Sequence, residues 1–173
     1  MDVSAAYRFC PLCGTKRPES DSSRPFRCQA CSYTTFFGPV TAVGGVITNL
    51  SGEVLLIERA KDPGKGKLGM PGGFVDPNES AEVALRREIF EEVGLQVGHL
   101  DFLMTAPNSY FYQGVLSPVL DIFFCATIES DQLVAAEATE VSAWMWTHPN
   151  QDTLKRMAFE SNRLALELFL KSR

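Results

Sequence analysis

Apolar and polar residues change their spacing along this chain, and those changes mark out its elements. Positions 40–48 are apolar and β-branched around Gly44 and Gly45, which predicts a strand with a bulge or a close backbone approach. A turn at 49–52 and a second apolar run at 53–59 complete a predicted hairpin. A glycine- and lysine-rich loop, 61–67, leads to a short strand at 68–74 that Pro71 and two glycines interrupt. The period then shifts to that of a helix over 79–93, with Ala81, Ala84, Leu85, Ile89 and Val93 as its apolar stripe. Asn78 or Ser80 is the expected N-cap, and Gly94 the stop. Strands are expected at 96–106, 110–115 and 119–129, broken at Gln113–Gly114 and Ser117–Pro118, with a last one at 144–146. An amphipathic helix is expected over 152–170, with Leu154, Met157, Ala158, Leu164 and Leu168 in register.

The polar side of the 79–93 helix is unusual. Glu88, Glu91 and Glu92 stand at i, i+3 and i+4, so three carboxylates share one face. Each like-charge pair costs an isolated helix roughly 0.2–0.5 kcal/mol. A solvated acidic face is the ordinary reading of such a cluster. A hard divalent cation, which takes oxygen ligands together with substrate phosphates, gives it a chemical purpose.

Composition narrows the class. The chain has 173 residues, 45% hydrophobic and 21% charged, enough for one domain of ordinary size and a small module. Its apolar runs are too short to span a membrane, and its first residues lack the basic and apolar regions of a secretory signal, so a cytoplasmic location is expected. Net charge is −5, distributed as +2 over 1–38 and −7 over the rest. Nucleic acid is therefore not the expected partner. An acidic body that handles an anionic substrate needs cations between the two.

Cysteines define the small module. Cys10 and Cys13 form one Cys-x-x-Cys pair, and Cys28 and Cys31 a second, with fourteen residues between the pairs. Two such pairs predict a structural tetrahedral Zn²⁺ site, because the polar 14–27 segment has no core of its own to fold around. We read 1–38 as a zinc ribbon serving packing or dimerisation, so a homodimer is an expected assembly, and 39–173 as the larger domain. Cys125 lies in the apolar run 122–126 and is expected in the core; neither His99 nor His148 has a metal-like partner nearby.

From Gly73 to Leu95 the chain matches the Nudix box, G-x5-E-x7-R-E-U-x-E-E-x-G-U with U aliphatic. Gly73, Glu79, Arg87, Glu88, Ile89, Glu91, Glu92, Gly94 and Leu95 fill every specified position. The chain thus resembles a Nudix hydrolase over roughly 40–172, and the ribbon ahead of it resembles the NADH pyrophosphatase branch. The resemblance implies an α+β fold: an α/β/α sandwich around a mixed sheet. It also implies hydrolysis of a nucleoside diphosphate linked to a group X by attack of water on phosphorus, with Mg²⁺ or Mn²⁺. Glu88, Glu91, Glu92 and the Gly72 carbonyl would hold the ions. Arg87 would pair with Glu79 or Glu91, and a late-loop carboxylate, Glu140 with Glu137 in reserve, would assist. Which glutamate ligates and which takes the proton stays open.

Substrate contacts are expected from Arg59, Lys67, Phe74, Tyr110 and Tyr112, in a small nucleotide-type substrate. The aromatics 110–112 suit either stacking on a base or core packing. The branch carries Ser-Gln-Pro-Trp-Trp after the box, where this chain reads Thr-Ala-Pro-Asn-Ser-Tyr-Phe-Tyr-Gln over 105–113. A different class of function is a nucleotide-sensing regulatory or binding protein whose ribbon contacts a partner or nucleic acid.

Overall fold

The computed structural model describes residues 1–129 and 140–172. The chain divides into two compact units: Met1–Val40 with Ser109–Val119, and Thr41–Asn108 with Leu120–Arg173.

The first unit contains helix α1 (Val3–Ala6) and strands β1 (Phe26–Arg27) and β2 (Thr34–Thr35), which pair antiparallel. Its small core gathers Cys10, Phe26 and Cys28 with the rings of Tyr7 and Phe37. Arg17 is buried beside it, 5.2 Å over the Phe26 ring, and donates to the carbonyls of Ser4 and Ser23. Such a core is small for a folded unit.

Most of the main sheet lies in the second unit, with Val40 and the strand residues within Ser109–Val119 in the first. The sheet's strands are β3 (Val40–Thr48), β4 (Val54–Arg59), β5 (Leu68–Gly69), β6 (Asp101–Tyr112), β7 (Val115–Thr127) and β8 (Val141–Thr147), in the order β5-β4-β3-β7-β6 with β8 also on β4. Helix α2 (Ala81–Val93) packs on one face; α3 (Gln151–Lys155) and α4 (Glu160–Lys171) pack on the other. The alternation of β4 shows how the sequence builds both layers. Leu55 and Ile57 join Leu85, Ile89 and Val93 of α2 in one core, while Val54 and Leu56 join Leu154, Leu166 and Phe169 in the other. This is the α+β sandwich with a mixed sheet that the sequence implied.

Several expectations are corrected. The helix expected over 152–170 is two. Between α3 and α4 the backbone turns aside to meet β5: the Leu68 amide donates to the Arg156 carbonyl and the Ala158 amide to the Leu68 carbonyl. The buried stripe of α4 is accordingly Ser161, Ala165, Leu166 and Phe169, with Leu164 and Leu168 exposed. The breaks expected near 107 and 118 are absent. Pro107 lies within the edge strand β6 and Pro118 within β7, and Gln113–Gly114 makes the turn between them, both at positive φ. Residues 96–100 form no strand. Cys125 is half-buried at the margin of a core cluster. Gly44 does meet a close approach: a Cβ there would lie 2.7 Å from the Phe123 ring. Much of the late loop expected to supply a carboxylate, with Glu137, lies outside the described residues.

Candidate active site and cysteine centre

Two segments converge on the N-terminal half of β3. Residues 71–75 run beside it, with the Gly45 amide donating to Pro71, Val43 to Gly73, and Val75 to Thr41. Because the carbonyls of Pro71 and Gly73 are taken by β3, that of Gly72 points away from it. Gly72 sits at φ 149°, and a Cβ there would stand 2.1 Å from the Val43 carbonyl oxygen, so only glycine fits. At Gly73 a Cβ would meet the Glu88 carboxylate at 2.4 Å, so a side chain there would displace Glu88 from its place beside the loop.

Helix α2 supplies the acids. Ser80 is its N-cap, accepting from the Val83 amide, and Gly94 closes it in the left-handed conformation. Asn78, the other candidate cap, instead holds a turn at φ 71°. The register of α2 places Glu92 against the sheet, where it is 9% exposed and accepts from the Gly72 amide at 2.9 Å. Burial pushes its carboxyl up to about 8, and the charges of Glu88 and Glu140 add to the rise; the Gly72 amide and Arg59 oppose it. Glu88 is raised too, chiefly by burial, despite its bond to Arg87. Glu91 lies at the open side of the cluster, with its side chain 56% exposed.

Arg87 ties these parts together. Its guanidinium grips Glu79 at both oxygens, 2.6 and 3.2 Å, and donates to Glu88 at 2.8 Å, Glu91 at 3.1 Å and the Phe74 carbonyl at 3.2 Å. Glu79 in turn accepts from the Asp76 amide at 2.7 Å, and the Arg87 bonds, with that amide, hold its carboxyl below the usual range. One fork thus fixes the loop 74–79 against the helix. Asp76, 3.9 Å from Arg87, and the Phe74 carbonyl belong to this network but occupy unspecified positions of the box, so the spacing alone gave no sign of them.

The other expected site residues divide. Glu140 opens β8: its carbonyl accepts from the Ala60 amide, its exposed carboxylate meets Lys61 at 3.4 Å, and its charge reaches Glu88 and Glu92. Arg59 ends β4 and its charge reaches Glu92. Phe74 is partly exposed beside Gly73, and Lys67 is exposed on the loop before β5. Tyr110 and Tyr112 belong to the first unit; Phe111 and Tyr112 are exposed, so core packing does not account for them.

In the first unit the four cysteines meet. Their Sγ atoms all lie within 4.8 Å of one another, with Cys10–Cys31 at 3.7 Å and Cys13–Cys28 at 3.6 Å. Sulfurs about 2.3 Å from a tetrahedral ion stand roughly 3.8 Å apart, so the spacing fits a metal and exceeds any disulfide. Two matching turns present the pairs: the Gly14 amide donates to the Cys10 carbonyl and the Ser32 amide to that of Cys28, with Gly14 and Ser32 both at positive φ. Hydrogen bonding with Thr15 draws the Cys13 thiol down to about 6.

A mixed sheet thus lies between helices, with the buried Glu92 and half-buried Glu88 of one helix beside a glycine-lined loop. The NUDIX domain pattern covers residues 38–168, and the chain belongs to the NUDIX family. It is 29% identical over 134 residues to an ADP-ribose pyrophosphatase of Methanocaldococcus jannaschii, covering 76% of this chain and 74% of that protein. It is 26% identical over 143 residues to the NAD-capped RNA hydrolase NudC of Haemophilus influenzae, covering 81% of this chain and 51% of that one. The chain therefore spans about half the length of the curated relatives of the latter kind that it matches. A NUDIX hydrolase from Nitrosomonas europaea superposes over 96% of this chain and 92% of its own with a TM-score of 0.69; at 22% identity this is a likeness of fold. Among the described residues no helix is long and apolar enough to cross a membrane.

Proposed function

We propose that this chain is a pyrophosphohydrolase that, with Mg²⁺ or Mn²⁺, cleaves the diphosphate linkage of a nucleoside diphosphate joined to a group X, with ADP-ribose as the first compound to test. The observation that carries the reading is Glu92: a carboxylate buried beside Glu88, bonded to the Gly72 amide and left without an ion pair among the described residues. A buried acid in that setting keeps its proton unless a cation replaces it. Glu88, Glu91, Glu92 and the Gly72 carbonyl are the oxygen donors that would hold the ions. Bound there, a divalent cation polarises phosphate oxygens and lowers the pKa of water.

The chain's own residues do the rest. Arg87 and Glu79 lock the rotamer of Glu88 and the course of the 74–79 loop. Arg59 and Lys67 offer positive charge to the phosphates, and the partly exposed Phe74 offers a ring to the rest of the substrate. Glu140 accepts the proton of the attacking water as its oxygen bonds to phosphorus, and the bridging P–O bond breaks to release the second phosphate. The four cysteines hold a structural Zn²⁺.

Arg87→Lys tests the network. Lysine keeps the charge but cannot grip Glu79 at two oxygens while reaching Glu88 and Glu91. Activity is expected to fall about 10–100-fold, with weaker apparent Mg²⁺ affinity, the usual size of effect for a residue that orients ligands. Steady-state rates across a Mg²⁺ titration measure it.

The function itself is tested by a panel of ADP-ribose, NADH, FAD, CoA, nucleotide sugars, dinucleoside polyphosphates, nucleoside triphosphates and an NAD-capped RNA oligonucleotide, with Mg²⁺ and with Mn²⁺. AMP and ribose 5-phosphate from ADP-ribose are the expected products. Clear nucleotide binding with no turnover of any compound would replace this reading with that of a nucleotide sensor.

A further inference from the structure

Arg59 is held in a way that the catalytic assignment does not use. It is half-buried, and among the described residues no carboxylate pairs with it. Its Nε donates to the Pro63 carbonyl at 2.8 Å, and its guanidinium lies 5.1 Å over the ring of Phe159. Its backbone is fixed on both sides, the amide donating to Lys67 and the carbonyl accepting from Gly66. Phe159 is fixed as well: Leu68 takes bonds from both sides of Met157, through the Arg156 carbonyl and the Ala158 amide, and Phe159 follows as the N-cap position of α4. The loop between them is close-packed, since a Cβ on Gly64 would come within 2.8 Å of the Ala158 Cβ and 3.6 Å of the Arg59 Cδ.

A guanidinium with its face on a ring and its Nε occupied has its Nη edge left to bind. Across a register irregularity after Glu58, Arg59 pairs with Val141 of β8, and Val141 belongs to the core on the α2 face, the face of the carboxylates. Its charge is felt at Glu92. An arginine that pairs with no carboxylate among the described residues and lies on the face of a site for cations and phosphates is suited to a two-pronged grip on phosphate oxygens.

We infer that Phe159 is a positioning residue: its ring sets the plane of the Arg59 guanidinium so that the Nη edge meets the substrate's diphosphate. The inference rests on the hydrolase reading above and deepens it, by assigning substrate affinity to a pair a hundred positions apart in sequence.

The test is steady-state hydrolysis of ADP-ribose, or of the best substrate from the panel, by the full chain with Mg²⁺. Phe159→Leu keeps the apolar bulk and removes the ring. It is expected to raise KM about tenfold, the upper range of a cation–ring contact, with kcat within about twofold. Phe159→Tyr is expected to restore KM. Arg59→Lys, which keeps the charge without the plane, is expected to raise KM at least as much, and stands in should the leucine variant fold poorly. In an Arg59→Gln background Phe159→Leu is expected to add nothing. Equal effects of Phe159→Leu with and without Arg59, or a loss confined to kcat and melting temperature, would overturn the inference while leaving the hydrolase reading in place. Absence of turnover by the wild type on every compound overturns both.

Discussion

Replacing Glu91 and Glu92 together with glutamine is expected to lower kcat by about a thousandfold, within the range seen when groups acting directly at the reacting centre are removed. The fold should survive. A glutamine at position 92 can still accept from the Gly72 amide as Glu92 does at 2.9 Å, and a neutral amide is easier to bury than a carboxylate. The metal-free variant is therefore expected to melt no lower than the wild type. The difference appears on adding Mg²⁺, which raises the wild-type melting temperature through binding to the native state and leaves the variant unmoved. Activity undiminished in the double variant, measured alongside the two melting curves, would remove the assigned site.

Changing Cys10 and Cys13 together to serine is expected to abolish metal content, from one zinc per chain to none, and to unfold the first unit. Structural zinc contributes roughly 10–16 kcal/mol in small metal-folded peptides, more than the small core around Cys10, Phe26 and Cys28 can replace. The second unit keeps its own melting transition, because both of its core clusters are built from its own residues. Metal analysis and limited proteolysis within 14–27 measure the two parts. Full zinc retention by the variant, or unchanged resistance to protease, would refute the assignment of the four thiols.

What the sequence revealed about the site follows from how local its parts are. Glu88, Glu91 and Glu92 lie within little more than one helical turn, and Ser80 and Gly94 bound that helix, so spacing alone set their common face. Each cysteine pair likewise needs only one tight turn. What spacing did not show depends on partners distant in sequence. That Glu92 is buried while Glu91 is exposed is decided by where α2 rests on the sheet. The split of the last helix follows from backbone bonds to Leu68, and nothing near 156–159 announces them. The ring under Arg59 comes from residue 159, with no local pattern linking the two. Strand lengths depend on neighbours too: Pro107 is accommodated within β6 at the sheet edge, where proline is tolerated, and Pro118 within β7.

The central claim is that water attacks phosphorus at the carboxylate face of α2. Hydrolysis of ADP-ribose in ¹⁸O-labelled water, with Mg²⁺ and product masses read for the wild type and the Glu91→Gln, Glu92→Gln variant, tests it most directly. The account predicts one labelled oxygen on the phosphate of a single product, AMP or ribose 5-phosphate, formed by the wild type and nearly absent with the variant. Label in a sugar hydroxyl, or equal labelled product from both proteins, would contradict it.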